Sequence, residues 1–463
     1  MTKDNLDQKD IFLILGSCLL SIGGCVLLNI SLVIGFSTSI ILSCFIFTKK
    51  GFSLRALMWM MTKALRECRI LYIVILLIGA TVSIWLSSGV VPSMIYYGFE
   101  YMKGTNFLFV AFLIISISAV FMGTAVGTIS TIGVAILGIG MGFGIPSYVL
   151  LGVIVSGAFI ADKISPISGL LNLTLSTTNT NYKEAFKSMI VTLIPTLILT
   201  SIVYYFLGIK YDTNIDTNSI IQFQLSIKDA FYTSPYLLLM PVLIMIMSFL
   251  GVKMVYSILT GLLGGVIVSF VYQNMTLIQI LKSIFLGYRG NTTSAKLNEI
   301  LISGGVISMI EVLFIVMGAI ALSSILEGTG VIDYFTNKII SKINSKKELI
   351  AKTSFISSTL TIVTCDQTTG IVIPGKLLED KYNELNVDKN ILARTISDTG
   401  TIIAPLMPWN VNALIIGTVV GVTSGYAIFA VLCYISPIVT LIIGSIDQKN
   451  DTRCFTEKIE KGD

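Results

Sequence analysis

Apolar runs long enough to cross a bilayer recur along almost the whole chain. They lie near residues 11–29, 31–48, 70–90, 107–122, 126–142, 147–161, 187–208, 235–252, 254–272, 302–326, 349–363, 402–422 and 426–446. Hydrocarbon offers backbone N–H and C=O groups no water to bond, so spanning segments must be helices or a closed barrel. Runs of about 20 apolar residues match the helical solution. Only 12% of the 463 residues are charged and 54% are hydrophobic, against about a quarter charged in soluble domains. The sequence predicts an all-α integral membrane protein, a polytopic helical bundle of roughly ten to twelve spans. The opening residues MTKDNLDQKD lack the basic start and small-residue cleavage site of a signal peptide, so the run from Ile11 is read as a retained span.

Loop charge orients the bundle. The connector 49–69 carries Lys49, Lys50, Arg55, Lys63, Arg66 and Arg69 against Glu67, which marks it as cytoplasmic. The N-terminus is expected on the same side. Connector 338–352, with Lys338, Lys342, Lys346, Lys347 and Lys352 against Glu348, is assigned likewise. Segment 209–230, with Asp212, Asp216 and Asp229 against two lysines, fits the outside. Residues 70 and 302 then start on opposite sides, so the halves that begin there run in opposite senses. Each half has a polar kink, then an acid, then a proline-interrupted helix with an asparagine. This is the plan of inverted repeats built from broken, discontinuous helices. The expected divisions are 1–69 (N-terminal spans and basic connector), 70–208 (first repeat), 209–301 (linking spans), 302–446 (second, inverted repeat) and 447–463 (polar tail).

There is no histidine, which removes Ser-His-Asp and Cys-His catalysis, imidazole metal sites and histidine relays. The seven cysteines are scattered without CxxC spacing, so neither zinc nor a disulfide framework is indicated. No cofactor, resident metal or enzyme activity is expected. The net charge of +5 suits loops that face anionic lipid and not a nucleic-acid surface.

The stretch RTISDTGTIIAPLMPWNVN, 394–412, cannot be a plain spanning helix. Pro405 and Pro408 lack amide donors and clash with the preceding turn. The freed backbone must lie against protein or a water-filled cavity. Asp398 adds a carboxylate at that depth, where charge is costly and usually functional. Broken backbone, an acid and the oxygens of Thr399 and Asn410 point to a cation site; a kinked helix with self-satisfied polar groups is the competing reading.

Four further places draw attention. Gly123–Gly144 is rich in Gly and Thr, so Thr124 and Thr128 are candidates to replace water around a small cation, with close helix packing as the alternative. Asp162 ends an apolar span beside Lys163 and shortly before Pro166. It is either a cation- or proton-binding carboxylate or half of a neutralising Asp–Lys pair. Asp366, flanked by Gln367, Thr368 and Thr369 in TCDQTTG, has the oxygen inventory of a hard-cation site or is a solvated helix cap. Glu311 lies inside a span and either pairs with another helix or titrates on a proton path.

Four ordered segments, GTAVGTISTIGVAILGIG, GAFIADKISPIS, TCDQ with IVIPGKLLEDKY, and SDTGTIIAPLMPWN, resemble the signatures of the NhaC family of sodium/proton antiporters. That family also includes malate/lactate exchangers coupled to sodium and protons. The likeness runs from about residue 70 to 446. It implies a multi-pass, bacterial-type plasma-membrane antiporter that exchanges sodium or lithium for protons. By motif match Asp162, Ser165, Pro166 and Asn172 inherit a site role in the first half. Asp366, Gln367, Asp398, Thr399 and Asn410 inherit one in the second. One departure stands out: where the family commonly reads SPLSDTTN, this chain has Gly169, Leu170 and Leu171 in place of an acid and two threonines. Sodium- or proton-coupled exchange of a small organic acid or amino acid is therefore the alternative, and a homodimer is left open. An intramembrane enzyme lacks a recognisable motif, and the two-fold plan with broken helices argues against a channel.

Overall fold

A computed structural model describes residues 7–211, 213, 217–340, 343–420 and 424–460. The described residues are almost wholly helical. An N-terminal hairpin of α1 (Gln8–Leu27) and α2 (Leu32–Lys49) leads through α3 (Leu54–Glu67) to α4 (Arg69–Ser87). An ion pair between Lys50 and Asp10, 2.7 Å long, ties the end of α2 to the start of α1. The basic connector is therefore largely a short helix, α3, which buries Leu57 and Met61 and stacks Lys63 over Trp59.

After α5 (Val90–Met102) and α6 (Phe107–Met122) the chain breaks and resumes as α7 (Ala125–Thr128), a π-helical turn at 129–133, and α8 (Val134–Gly142). Helices α9 (Ser147–Ala158), α10 (Ile160–Ile164) and α11 (Gly169–Thr177) follow, and then the long α12 (Tyr182–Gly208). Linking helices α13 (Thr217–Ala230), α14 (Leu239–Phe249), α15 (Met254–Val271), α16 (Leu277–Leu286) and α17 (Ala295–Ile300) accompany a two-stranded antiparallel ribbon, β1 (Tyr288–Arg289) with β2 (Ile302–Ser303). Asp229 lies in the last turn of α13, whereas Asp212 and Asp216 lie outside the described residues.

The second half repeats the pattern. Helices α18 (Gly305–Gly328) and α19 (Val331–Ile340) precede α20 (Lys346–Thr364), a break, and α21 (Gln367–Glu384). Then come α22 (Lys389–Ile396), a second π-helical turn at 397–401, a 3₁₀ turn at 404–406, α23 (Val411–Val420) and α24 (Val431–Glu460). Segment 376–394 is the hairpin from α21 to α22, pinned by a Lys389–Glu379 ion pair of 2.5 Å. The backbone of α24 runs on through the expected polar tail as far as Glu460.

The two breaks share one backbone geometry. Helix α6 ends on Gly123 at φ 68°, ψ 14°, and extended Thr124 (φ −152°, ψ 130°) caps α7. Helix α20 ends on Cys365 at φ 61°, ψ 10°, and extended Asp366 (φ −134°, ψ 138°) caps α21. Glycine tolerates the left-handed position without strain; cysteine there is uncommon and is held by its surroundings. Helices α4 and α18 run antiparallel: Gly79, midway along α4, lies against Gly305 and Met309 at the start of α18, while Gly328 at its end lies against Met60 of α3, the helix that leads into α4.

Eight helices among the described residues are long and apolar enough to cross a membrane, or up to ten if each bent pair counts once. Their burial ranks them. In Ala125–Gly142 and Ser147–Ile164, 89% and 83% of residues are buried, against 28% for the most apolar stretch of α12. The interrupted helices are the core, and uninterrupted ones wrap them.

Candidate functional site

The two halves interlock through their interrupted ends. Helix α11 packs on α21, α23 packs on α7 and the first π turn, and α10 packs on the second π turn. Four charged side chains are buried at this junction: Asp162, Lys163, Arg394 and Asp398, each at most 6% exposed. Lys163 and Asp398 form an ion pair. The remaining bonds of the pair are made by hydroxyls. Thr440 donates to Asp398 Oδ2 at 2.7 Å, Ser436 lies 3.4 Å from Oδ1, and Lys163 Nζ donates to Thr192 Oγ1 at 3.3 Å. Ser436 and Thr440 are four apart on α24, so one helix face presents both to the carboxylate.

Asp162 does not pair with its neighbour Lys163; adjacent helical residues point about 100° apart. Its carboxylate instead accepts Ser168 Oγ at 3.2 Å and faces the Ala125 amide at the start of α7. Ser168 also caps α11 through the Leu171 N–H. Ser165 donates to the Val120 carbonyl at 2.6 Å and so fixes the turn at exposed Pro166. Thr124 caps α7 through the Gly127 N–H, and Thr128 donates back to the Thr124 carbonyl at 2.8 Å.

The second break carries an amide network. Gln367 Nε2 donates to the Thr401 carbonyl at 2.6 Å, and Gln367 Oε1 accepts Asn412 Nδ2 at 2.8 Å. Buried Asn410 accepts the Asn412 N–H at 3.0 Å, and the Val411 N–H returns to the Cys365 carbonyl at 3.2 Å. Trp409, behind Pro408, donates to the Ile362 carbonyl, and the Pro405 carbonyl accepts Tyr426 OH at 2.7 Å. The backbone groups freed by the prolines thus find protein partners. Asp366 is half-buried at the cap of α21, with exposed Thr368 beside it. It lies near enough to Cys68, where α3 meets α4, for the two to interact electrostatically. Thr399 donates to the Thr395 carbonyl at 2.6 Å.

Two candidate residues lie elsewhere. Glu311 is exposed and accepts Ser31 Oγ at 2.6 Å, so it pairs with the hairpin and not with the buried charges. Asn172 is also exposed, its amide donating to the Pro166 and Ser168 carbonyls. Its reach is the proline turn. Lys163 reads from the sequence only as a neutraliser of Asp162, and Arg394, Ser436, Thr440 and Asn412 are not singled out by it. A lysine one residue from Asp162, an arginine at the head of 394–412 and a Ser–Thr pair four apart were the available signals.

Residues 159–446 match the Na+/H+ antiporter family. The chain is 31% identical over 374 residues to the Na(+)/H(+) antiporter NhaC of Alkalihalophilus pseudofirmus, covering 80% of each chain. It is 28% identical to the malate-2H(+)/Na(+)-lactate antiporter of Bacillus subtilis, again over 80% of each. It is likewise 28% identical to the arginine/ornithine antiporter ArcD of Halobacterium salinarum, over 81% of this chain and 77% of that one.

Proposed function

Because the chain belongs to the Na+/H+ antiporter family, we propose that it exchanges sodium for protons across the cell membrane by alternating access at the buried junction. The carrying observation is the Lys163–Asp398 ion pair, sealed where interrupted helices of the two halves meet. A carboxylate and an ammonium removed from water hold each other because either alone would be costly. Sodium arriving at Asp398 would put two cations on one carboxylate. The site keeps its net charge only if Lys163 gives up its proton as sodium enters. Asp162 is the second exchange group, with the Ser168 hydroxyl and the Ala125 amide beside it and Thr124 capping the α7 turn that presents that amide. Asp366, Gln367 and Asn410 line the path from the second break, and the nearness of Asp366 to the α3–α4 junction favours a cytoplasmic mouth there.

The matched breaks and the antiparallel α4 and α18 support treating 70–208 and 302–446 as inverted repeats that rock about the junction. The Asp10–Lys50 ion pair supports a cytoplasmic N-terminus, since it holds the start of α1 beside the basic connector. Gly169, where the family commonly has an acid, and the names of two relatives favour a second reading. In it a small organic acid or amino acid is exchanged with sodium or proton coupling.

Proteoliposomes with an internal pH dye separate the two. Sodium, lithium and potassium gradients are imposed first, and then organic solutes. Proton movement driven by sodium or lithium alone, abolished in Asp398→Asn, is the expected result. Proton movement that waits for an organic solute would replace the first reading with the second.

A further inference from the structure

Arg394 has no place in the exchange scheme above, yet it sits 3% exposed among the buried charges. Its Nε and Nη2 have no hydrogen-bond partner in the protein. A guanidinium stays charged at any working pH, and a buried cation without an anion is among the costlier arrangements a fold can hold. Lys163 interacts with the Asp398 carboxylate and with the Arg394 guanidinium together. Two cations thus share the neighbourhood of one carboxylate, and only Lys163 is bonded to it. Arg394 and Asp398 are four residues apart across the end of α22 and the π turn, a spacing that puts side chains one above the other.

We propose that Arg394 is the second counter-ion of Asp398, receiving the carboxylate when Lys163 has released it and no sodium occupies it. It is a positioning residue: it carries no proton, and it keeps Asp398 charged and oriented while Lys163 is away. The structure then holds one of two pairings, Lys163–Asp398, with Arg394 waiting. Both residues of the second pairing sit within one turn of the same helical stretch. The inference rests on the reading of Asp398 as an exchange group, but its test uses no transported ion and so can fail independently of that reading.

The test is heat resistance of the full chain purified in detergent, in a mutant cycle on Lys163, Arg394 and Asp398. Lys163→Gln and Arg394→Gln should each be tolerated, because the other cation takes the carboxylate. The double variant should lose more than the two singles combined, by about tenfold or more in the surviving fraction. Arg394→Lys in the Lys163→Gln background should retain most of the resistance. If Lys163→Gln does not fold, the pair Asp398→Asn and Asp398→Asn/Arg394→Gln decides. Without the carboxylate Arg394 is only a liability, so removing it should be neutral or stabilising. Additive single effects, or equal loss from Arg394→Gln with and without Asp398, would overturn the proposal and leave Arg394 a packing residue.

Discussion

Replacing Gly169 by aspartate restores the acid that the family commonly carries, and the structure gives its effect a sign. Gly169 opens α11 directly after its cap, Ser168. A Cβ there meets nothing within 4 Å, and Gly169 is absent from the positive-φ glycines. Aspartate is better than glycine in a helix by about 0.3 kcal/mol, and a carboxylate in the first turn gains about 0.3–1 kcal/mol from the amide dipoles. The sum is about 0.6–1.3 kcal/mol of stabilisation, provided the position meets water. Its exposed companions on that face are Pro166, Asn172, Ser176 and Asn179, whereas lipid-facing α12 exposes Ile194, Ile198 and Phe206. We therefore place residue 169 against water. Facing hydrocarbon, the same substitution would cost about 2.5–3.5 kcal/mol, so the alternatives differ in sign. Thermal unfolding of purified Gly169→Asp should shift upward, with tighter half-saturation by sodium in proteoliposomes. A clear downward shift would refute the water-facing assignment and with it the expected gain.

Asp398→Asn should cost about 3–5 kcal/mol, since it leaves Lys163 a buried cation without its anion; expression and melting point check this. Gly400→Ala should cost about 1–3 kcal/mol, because the added Cβ would lie 2.1 Å from Ser357 Oγ and 3.0 Å from the Ser357 carbonyl. Undiminished stability there would mean that α20 can back away from the π turn. Gln367→Leu removes both bonds of the amide bridge and should cost about 1–3 kcal/mol for each partner left unpaired, read as loss of heat resistance that Gln367→Glu does not fully recover. At the α21–α22 hairpin the Lys389 ammonium and then the Asn179 amide hold Glu379 below its ordinary pKa of 4.5. Its contribution is present above that value and lost as pH falls below it. For a pair this exposed it amounts to less than about 1 kcal/mol, so Glu379→Gln should match the unaltered protein in acid and fall slightly behind it near neutrality.

The membrane class, the helical content and the interruption at Pro405 and Pro408 were legible because each follows from a local rule: apolar length, or a missing amide donor. Gly123 could be read as a helix end because glycine takes the left-handed position freely. Cys365 could not, since its positive φ (61°) is imposed by packing that no local pattern announces. The acids 162, 366 and 398 stood out as charges at membrane depth, but their partners did not. Lys163 looked like a neutraliser of its neighbour, and only the approach of α10 to the second π turn turns it toward Asp398. Glu311 shows the converse, a carboxylate that depth along the chain singled out and that the fold turns outward.

The two π turns have a consequence for how this chain tolerates changes in length. A π turn is what an α-helix becomes when it accommodates one surplus residue, so 129–133 and 397–401 each store a single residue of slack. Removing one residue at either place would return the turn to α geometry and leave what lies beyond it facing as before, whereas the same deletion in a regular stretch of helix would swing everything beyond it by roughly 100°. The face that α8 shows α9, and the placing of Pro405 and Asn410 relative to Arg394, would survive the first change and be lost in the second. Natural single-residue insertions and deletions in related chains should therefore collect at these two five-residue windows, and in the linking region between the halves, where slack has no orientation to lose.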